Sequence, residues 1–280
     1  MKKIATFLAM AAVAISLSSC DLFGGNEPKP NKNFKQLPFS VSAKKKVYFS
    51  QGNLQYNAQK DVFRFAAKQT DFIGSDNKKI AADYAGWIDL FIWMSGACPT
   101  RLELEALPAD WGENKIGKDP ENTWFTLSND EWYYLLFERE NAANLLACAT
   151  VCGIKGLLLL PDGWERPTSV SFASMDDLYV TTESVLGKYH FTEANGFSRN
   201  RYEAEGWATL EKSGAVFLPA AGTRIGTQCY DCGAGGRYWS GKVGLGGMAY
   251  GIGFSDKMID GKLQEDAKEG LSVRLVKSAN

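Results

Sequence analysis

The sequence predicts an α+β fold in which two helices pack beside one system of strands. The first observation behind it is a capping box. Ser128 stands three residues before Glu131, so its hydroxyl can accept from an unpaired amide at a helix start while the glutamate accepts from the cap's own amide. Leu127 and Trp132 have the spacing of a hydrophobic staple. Trp132, Leu135, Leu136, Ala143 and Leu146 then recur near the helical period, which predicts a helix over 128–146. The second observation is the apolar run Leu157-Leu158-Leu159-Leu160, stopped by Pro161-Asp162-Gly163, a strand able to cover that helix. The third is a shorter echo of the same unit: a helix over 203–212, Gly214 to end it in the left-handed conformation, and the strand Ala215-Val216-Phe217-Leu218 before Pro219. None of these parts is chemically reactive, so they describe a scaffold.

Ahead of the scaffold, Met1-Lys2-Lys3, the apolar run 4–17 and Leu17-Ser18-Ser19-Cys20 have the form of a bacterial lipoprotein signal. Residues 1–19 would be removed and Cys20 would carry the lipid, so the expected partner at this end is a membrane leaflet. The mature chain would run from 20 to 280, enough for one large domain. Loss of Lys2 and Lys3 leaves 29 Lys and Arg against 32 Asp and Glu, a balance of −3 that excludes a bulk-charge nucleic-acid binder. Residues 20–38 are rich in Gly, Pro, Lys and Asn and read as a flexible tether, with one domain over 39–280.

Within that domain, 39–43 and 46–50 read as a hairpin tipped by Lys44, Lys45 and Lys46, a solvated tip and no nucleic-acid patch. Short strands follow at 54–56 and 62–65. Residues 71–84 are polar with a turn at Gly74-Ser75-Asp76-Asn77, and Asp76 and Asp83 lack the spacing of a calcium loop. The aromatic run 86–94 should be buried. A long weakly patterned stretch, 95–122, should either pack as a covering loop or carry recognition, with Trp111 as its anchor or as a recognition residue and with Asp110 and Glu113 beside it. Residues 169–200 carry scattered aromatics, among them Tyr179, on strands or excursions with unclear edges. The glycine-dense stretch 222–253, interleaved with Tyr230, Tyr238, Trp239, Met248 and Tyr250, signals tight turns and close strand approach. The strand 271–276 should alternate, with Ser272, Arg274 and Val276 facing away from Leu271, Val273 and Leu275.

Tests for chemistry find little. His190 is the one histidine, set between Tyr189 and Phe191 in an ordinary half-buried position, so no histidine triad or histidine metal site is expected. Gly236-Arg237-Tyr238-Trp239-Ser240-Gly241-Lys242 approaches a phosphate loop, but Val243 stands where the magnesium-holding hydroxyl belongs. No cofactor and no metal are expected. Beyond Cys20 there are Cys98, Cys148, Cys152, Cys229 and Cys232, an odd number. Cys148 with Cys152 and Cys229 with Cys232 could be local disulfides or inert thiols, all four could surround zinc, or Cys229 and Cys232 could be a redox pair.

Residues 127–135 (LSNDEWYYL) resemble the helix start of the sulfatase-modifying-factor, or formylglycine-generating, group, and 271–276 (LSVRLV) resembles its closing strand. More closely, 47–56 (VYFSQGNLQY), 159–164 (LLPDGW), 214–222 (GAVFLPAAG), 238–240 and the SVRLV ending resemble a set of surface lipoproteins of gut Bacteroidetes related to the major paralogous domain described from Fibrobacter. The resemblance covers nearly all of 39–277. It implies a C-type-lectin-like fold with two helices, a small mixed or antiparallel sheet whose first and last strands meet, and a large loop-rich region. The surroundings of Cys229 and Cys232 do not match the catalytic cysteines of the enzymatic cousins, so no catalytic residue is carried over. The lectin calcium motifs are missing.

The expected function is an exported, lipid-anchored recognition or structural module of the cell envelope. It would sit at the outer membrane, facing the cell surface or the periplasm, and bind a glycan or an envelope protein. The candidate surface is Arg224, Tyr230, Arg237, Tyr238 and Trp239, with Trp111 from the long loop, because rings on glycine-rich turns can stack on a sugar or seat a protein partner. The alternative is an enzyme, either of the formylglycine-generating type or carbohydrate-acting.

Overall fold

The earliest and latest strands of the described chain form one sheet. The computed structural model describes residues 31–103, 108–178, 181–183 and 186–279. In it Phe39–Ser40, Lys46–Phe49 and Val276–Ser278 pair antiparallel in that order, with Val276 opposite Phe49 and Ser278 opposite Val47. The expected lysine-tipped hairpin is present, and two of its lysines are tied down. Lys45 Nζ lies 2.6 Å from Glu131 and 4.3 Å from the Phe125 ring centre, and Lys46 Nζ lies 3.1 Å from Asp162. The leader, Cys20, residues 20–30 of the tether and Tyr179 fall outside the described residues.

Residues 31–38, expected to be loose, are docked on the domain. The Asn31 amide donates to Glu211 at 2.8 Å, the Lys35 backbone amide donates to the Glu211 carbonyl, and Gln36 donates to the Phe49 carbonyl. Gly214, at φ +88°, makes this possible. A Cβ there would come within 2.7 Å of Leu37, so glycine both ends the second helix and leaves room for the incoming chain.

The two helix–strand units share a second sheet, ordered Val216–Pro219, Ile154–Leu159, Leu146–Val151 and Asn200–Tyr202. Its first three strands are antiparallel and the last is parallel to its neighbour. Helix α2, Ala204–Lys212, sets Trp207 against Phe217, ring centres 5.8 Å apart. Helix α1, Asn129–Tyr133, begins on the expected capping box: Glu131 N donates to Ser128 Oγ at 3.2 Å, and Ser128 N donates to the Glu131 carboxylate at 2.8 Å. The staple residues Leu127 and Trp132 are fully buried.

The helix expected to run to Leu146 is much shorter. One wide π-helical turn, Tyr134–Glu138, ends it. Arg139 is extended, Asn141 is left-handed, and a strand starts at Leu146. Arg139 explains the stop, since its buried guanidinium reaches Asp162 at 3.4 Å and lies over the Phe39 ring, contacts a continuing helix would turn away from. Of the expected apolar residues beyond it, Ala143 is half-buried in a 3-10 turn, Ala142–Leu145, and Leu146 is buried at the start of the strand that also holds Cys148.

The largest sheet is an antiparallel meander: Gly236–Val243, Met248–Phe254, Met258–Asp266, Lys188–His190 and Thr181–Glu183. Much of the glycine-dense stretch is therefore regular strand, and its glycines serve both turning, at the left-handed Gly222, Gly226, Gly233, Gly246 and Gly247, and close approach. A Cβ on Gly251 would meet the Tyr238 carbonyl oxygen at 2.5 Å, and one on Gly236 would strike the Phe254 ring. One face of this sheet (Tyr238, Ile252, Phe254, Ile259) joins the core containing both helices. Trp239, on the other face, joins a second core with Phe91, Trp111, Trp124 and Leu271. The described part of the long loop 95–122 covers that second core, as expected.

Residues 271–276 do not alternate, and all six are buried. The segment threads between irregular neighbours: Leu271 N donates to the Phe91 carbonyl, Trp239 N to Ser272, Leu54 N to Val273 and Ser50 N to Leu275. Arg274 is consequently an interior residue whose guanidinium donates to the carbonyls of Ser50 and Phe217. Burial lowers its pKa to about 10. The polar segment 71–84 also departs from expectation. It contains a 3-10 turn, Gly74–Lys79, whose Asn77 is buried and clasped to the buried Asp89. Taken together, the described residues form a mixed α+β domain of few helices and several small sheets, without a barrel among them.

Candidate functional site

The six residues expected to form one surface divide into two groups. Trp111, Arg224, Tyr238 and Trp239 are 0 to 1% exposed, which removes them from any accessible surface. Each has a structural task. Trp111 follows Asp110, which caps a 3-10 turn, Trp111–Glu113: Gly112 N donates to the Asp110 carboxylate at 2.7 Å and Asp110 N to Glu113 at 3.2 Å. The two acids beside this tryptophan are thereby used as a cap. Tyr238 donates its hydroxyl to the Pro219 carbonyl at 2.8 Å and accepts from Asn53 at 3.1 Å. Trp239 donates its indole N–H to the Phe91 carbonyl. Arg224 spends its guanidinium on the Leu90 and Gly226 carbonyls, and burial lowers its pKa to about 10. Glycine density suggests loops with surface rings, but 236–243 is a strand. Strand alternation sent Tyr238 into one core and Trp239 into the other.

Tyr230 and Arg237 remain, and the structure brings them together. Thr223–Ile225 and Gln228–Tyr230 form a small hairpin with Thr223 opposite Tyr230. Tyr230 is 49% exposed on its face, diagonal to the exposed Ile225. Arg237 reaches this hairpin. Its guanidinium donates to the Thr223 hydroxyl, stands 3.7 Å from Asp231, and is held from the other side by Glu265 at 3.2 Å.

A cleft of about 250 Å³ opens beside Arg237, smaller than the roughly 300–1,000 Å³ of drug-sized pockets and suited to one sugar ring or one polar side chain. Its origin is a cross-strand row. Arg237 pairs opposite Gly253, Gly253 opposite Asp260, Asp260 opposite Lys188 and Lys188 opposite Glu183, so these residues share one face of the meander. Gly253 leaves bare backbone as a floor between Arg237 and Asp260. Lys188 holds Asp260 at 3.1 Å, and the Lys262 amide donates to the same carboxylate at 2.8 Å. Burial raises the Glu265 carboxyl above its usual range, with Arg237 opposing the shift and Asp260 adding to it. Sequence reading missed Asp260 and Glu265. The alternation in Met258–Asp266 was the available signal, but without the register nothing placed those acids next to Arg237.

The larger hollow, about 330 Å³, lies by the lysine hairpin near Tyr48 and Ala279. Lys45 and Lys46 there are committed to Glu131 and Asp162, which leaves it without an ordered polar set. The near phosphate loop at 236–242 is a strand and offers no cradle of amides. Among the described residues no group of three or more His, Cys, Asp or Glu could hold a metal ion. The five described cysteines are thiols. Cys148 and Cys152 cannot bridge locally, since the strand from Cys148 to Val151 already spans about 10 Å before the turn that holds Cys152, and a disulfide needs Cα atoms within about 7 Å. Burial pushes the Cys148 thiol far above its usual range.

Set against protein-family models, curated proteins and solved structures, the chain finds no match. No helix of the described residues is long and apolar enough to cross a membrane.

Proposed function

We propose that the chain is an exported, lipid-anchored recognition module of the cell envelope whose binding site is the Arg237 cleft with Tyr230 at its rim. The observation that carries the reading is this pairing of an exposed aromatic ring with an ordered array of Arg237, Asp231, Asp260 and Glu265 around a bare glycine floor. A ring face takes up the apolar face of a sugar or a partner side chain, while fixed carboxylates and a guanidinium receive its hydroxyl or amide groups. The ion pairs fix these side chains before a ligand arrives, which reduces the ordering cost of binding. A C-type-lectin-like architecture is part of the proposal. Its support is the meeting of the 46–49 and 276–278 strands, the two short helices and the loop-covered second core.

The test is a glycan array together with a pull-down against envelope proteins, using the full chain. Tyr230→Ala and Arg237→Ala should lose the captured ligand while Ile225→Ala retains it. Retention by both folded site variants would refute the site. A second reading has one observation in its favour: Glu265, with its raised pKa beside Asp260, has the character of a general acid in glycoside hydrolysis. Turnover of a glycan, lost in Glu265→Gln, would replace binding by catalysis. The anchor is tested separately, by labelled-lipid incorporation that disappears in Cys20→Ala, and protease shaving of intact cells distinguishes the two faces of the outer membrane.

A further inference from the structure

Cys229 and Cys232 bracket the exposed Tyr230 and Asp231, the second of which lines the cleft. We propose that these cysteines form a reversible intrachain disulfide that clamps the rim of the Arg237 cleft. The backbone is already arranged for it. Tyr230 is extended at the end of its strand, and Asp231 is left-handed at φ +55°. The chain bends at Asp231, between the two cysteines, which draws the ends of the segment 229–232 toward each other, and disulfides bridge Cα atoms about 4.4–6.8 Å apart. The segment after it is pinned, with Gly233 N donating to the Ala220 carbonyl at 2.7 Å and Ala234 N to the Asp231 carbonyl at 2.8 Å. An aspartate in the left-handed region is strained relative to glycine, so the turn has a conformation worth holding.

The other thiols are placed differently. Cys148 is buried, and Cys152 is separated from it by strand geometry, while Cys229 is half-buried and Cys232 exposed. Among the five described cysteines, Cys229 and Cys232 are the pair arranged for local closure. Burial raises the pKa of both thiols, that of Cys232 to about 11. Neither is kept as a reactive thiolate, which fits a slow conformational clamp and not a dithiol catalyst.

The oxidant is a low-molecular-weight disulfide. The exposed Cys232, as its thiolate, attacks one sulfur and expels the other half as a thiolate, leaving a mixed disulfide. Cys229 then attacks the Cys232 sulfur and expels the second half. Two electrons pass from the cysteine pair to the oxidant, and the two protons leave on the two released thiols. The inference goes beyond the recognition reading and holds whatever the cleft binds.

The test is direct. The full chain is equilibrated with glutathione disulfide, alkylated and digested with trypsin, which places both cysteines in the peptide 225–237 and both Cys148 and Cys152 in 140–155. The expected result is a 225–237 peptide that resists alkylation and has lost two hydrogens, while 140–155 takes alkylating groups at exposed Cys152. Cys229→Ser and Cys232→Ser should each restore alkylation of the remaining thiol. Hydrogen exchange at Gly233 and Ala234 should slow several-fold in the oxidised chain. Full alkylation of 225–237 under excess oxidant, or its linkage to another peptide, would overturn the disulfide. Unchanged exchange in the linked chain would overturn the clamp.

Discussion

Replacing Asp89 by asparagine should change how stability depends on pH, in a direction fixed by burial. Asp89 is fully buried, accepts from Ile73 N at 2.9 Å and from the Asn77 amide at 2.8 Å, and sends its own amide back to Asn77 Oδ1 at 2.8 Å. Burial raises its pKa from 3.8 to about 6, against the pull of those hydrogen bonds. Between the two values the folded state holds the proton more tightly than the unfolded chain does. The contribution of this group is therefore fully present below the unfolded pKa and is lost as pH rises through about 6. At 1.36 kcal/mol per unit, the whole swing is about 3 kcal/mol. The substituted asparagine would not titrate, and its NH₂ would face one of the two donors, costing about 1–3 kcal/mol at every pH. Urea denaturation of both proteins at a series of pH values isolates the effect. The stability of the wild type relative to Asp89→Asn should fall by about 2–3 kcal/mol between about pH 4 and pH 7. Parallel curves, or a wild-type advantage that grows with pH, would refute the argument.

Three further outcomes are expected. Ser128→Ala should lower stability by about 1 kcal/mol through loss of the cap, read as a lower urea midpoint at unchanged slope. Trp239→Ala should cost about 3–5 kcal/mol as a core truncation, whereas Tyr230→Ala should stay within about 0.5 kcal/mol; thermal unfolding of the pair separates interior from surface. Asp162 titrates in the sense opposite to Asp89. Burial alone would raise its pKa, but the hydroxyl and amide of Ser40, with Lys46 and Arg139, hold it below the usual range. Its contribution is present above the ordinary carboxylate pKa and lost as pH falls, so Asp162→Asn should flatten the acid limb of the stability profile measured by urea denaturation.

The parts of the fold legible in the sequence were those set by local rules. The Ser128 capping box, Gly214 ending the second helix, the lysine-tipped hairpin and the Leu-Pro strands all depend on neighbours within a few residues. The helix that ended early shows where locality fails. Its apolar spacing continued past Glu138, but a long-range contact of Arg139 with Asp162 and Phe39 decided the backbone. Alternation alone would turn Arg274 outward, and it is interior because the neighbours of 271–276 lie on both sides. The site was half legible. Tyr230 and Arg237 were identified from composition, while Asp260 and Glu265 depend on a cross-strand register that no single segment encodes.

The pairing of Lys46–Phe49 with Val276–Ser278 has a consequence for how the molecule is made. During synthesis the amino-terminal hairpin can close at once, but its outer edge has no partner until almost the whole chain has emerged. Contacts between such distant segments incur a large loop-closure cost and form late. Until then the nascent chain carries an open strand edge, and the interior position of Arg274 stays unfilled with its carbonyl acceptors on Ser50 and Phe217 unpaired. A chain stalled before residue 271 would contain both helices and nearly every strand, yet would lack the segment that joins its two cores.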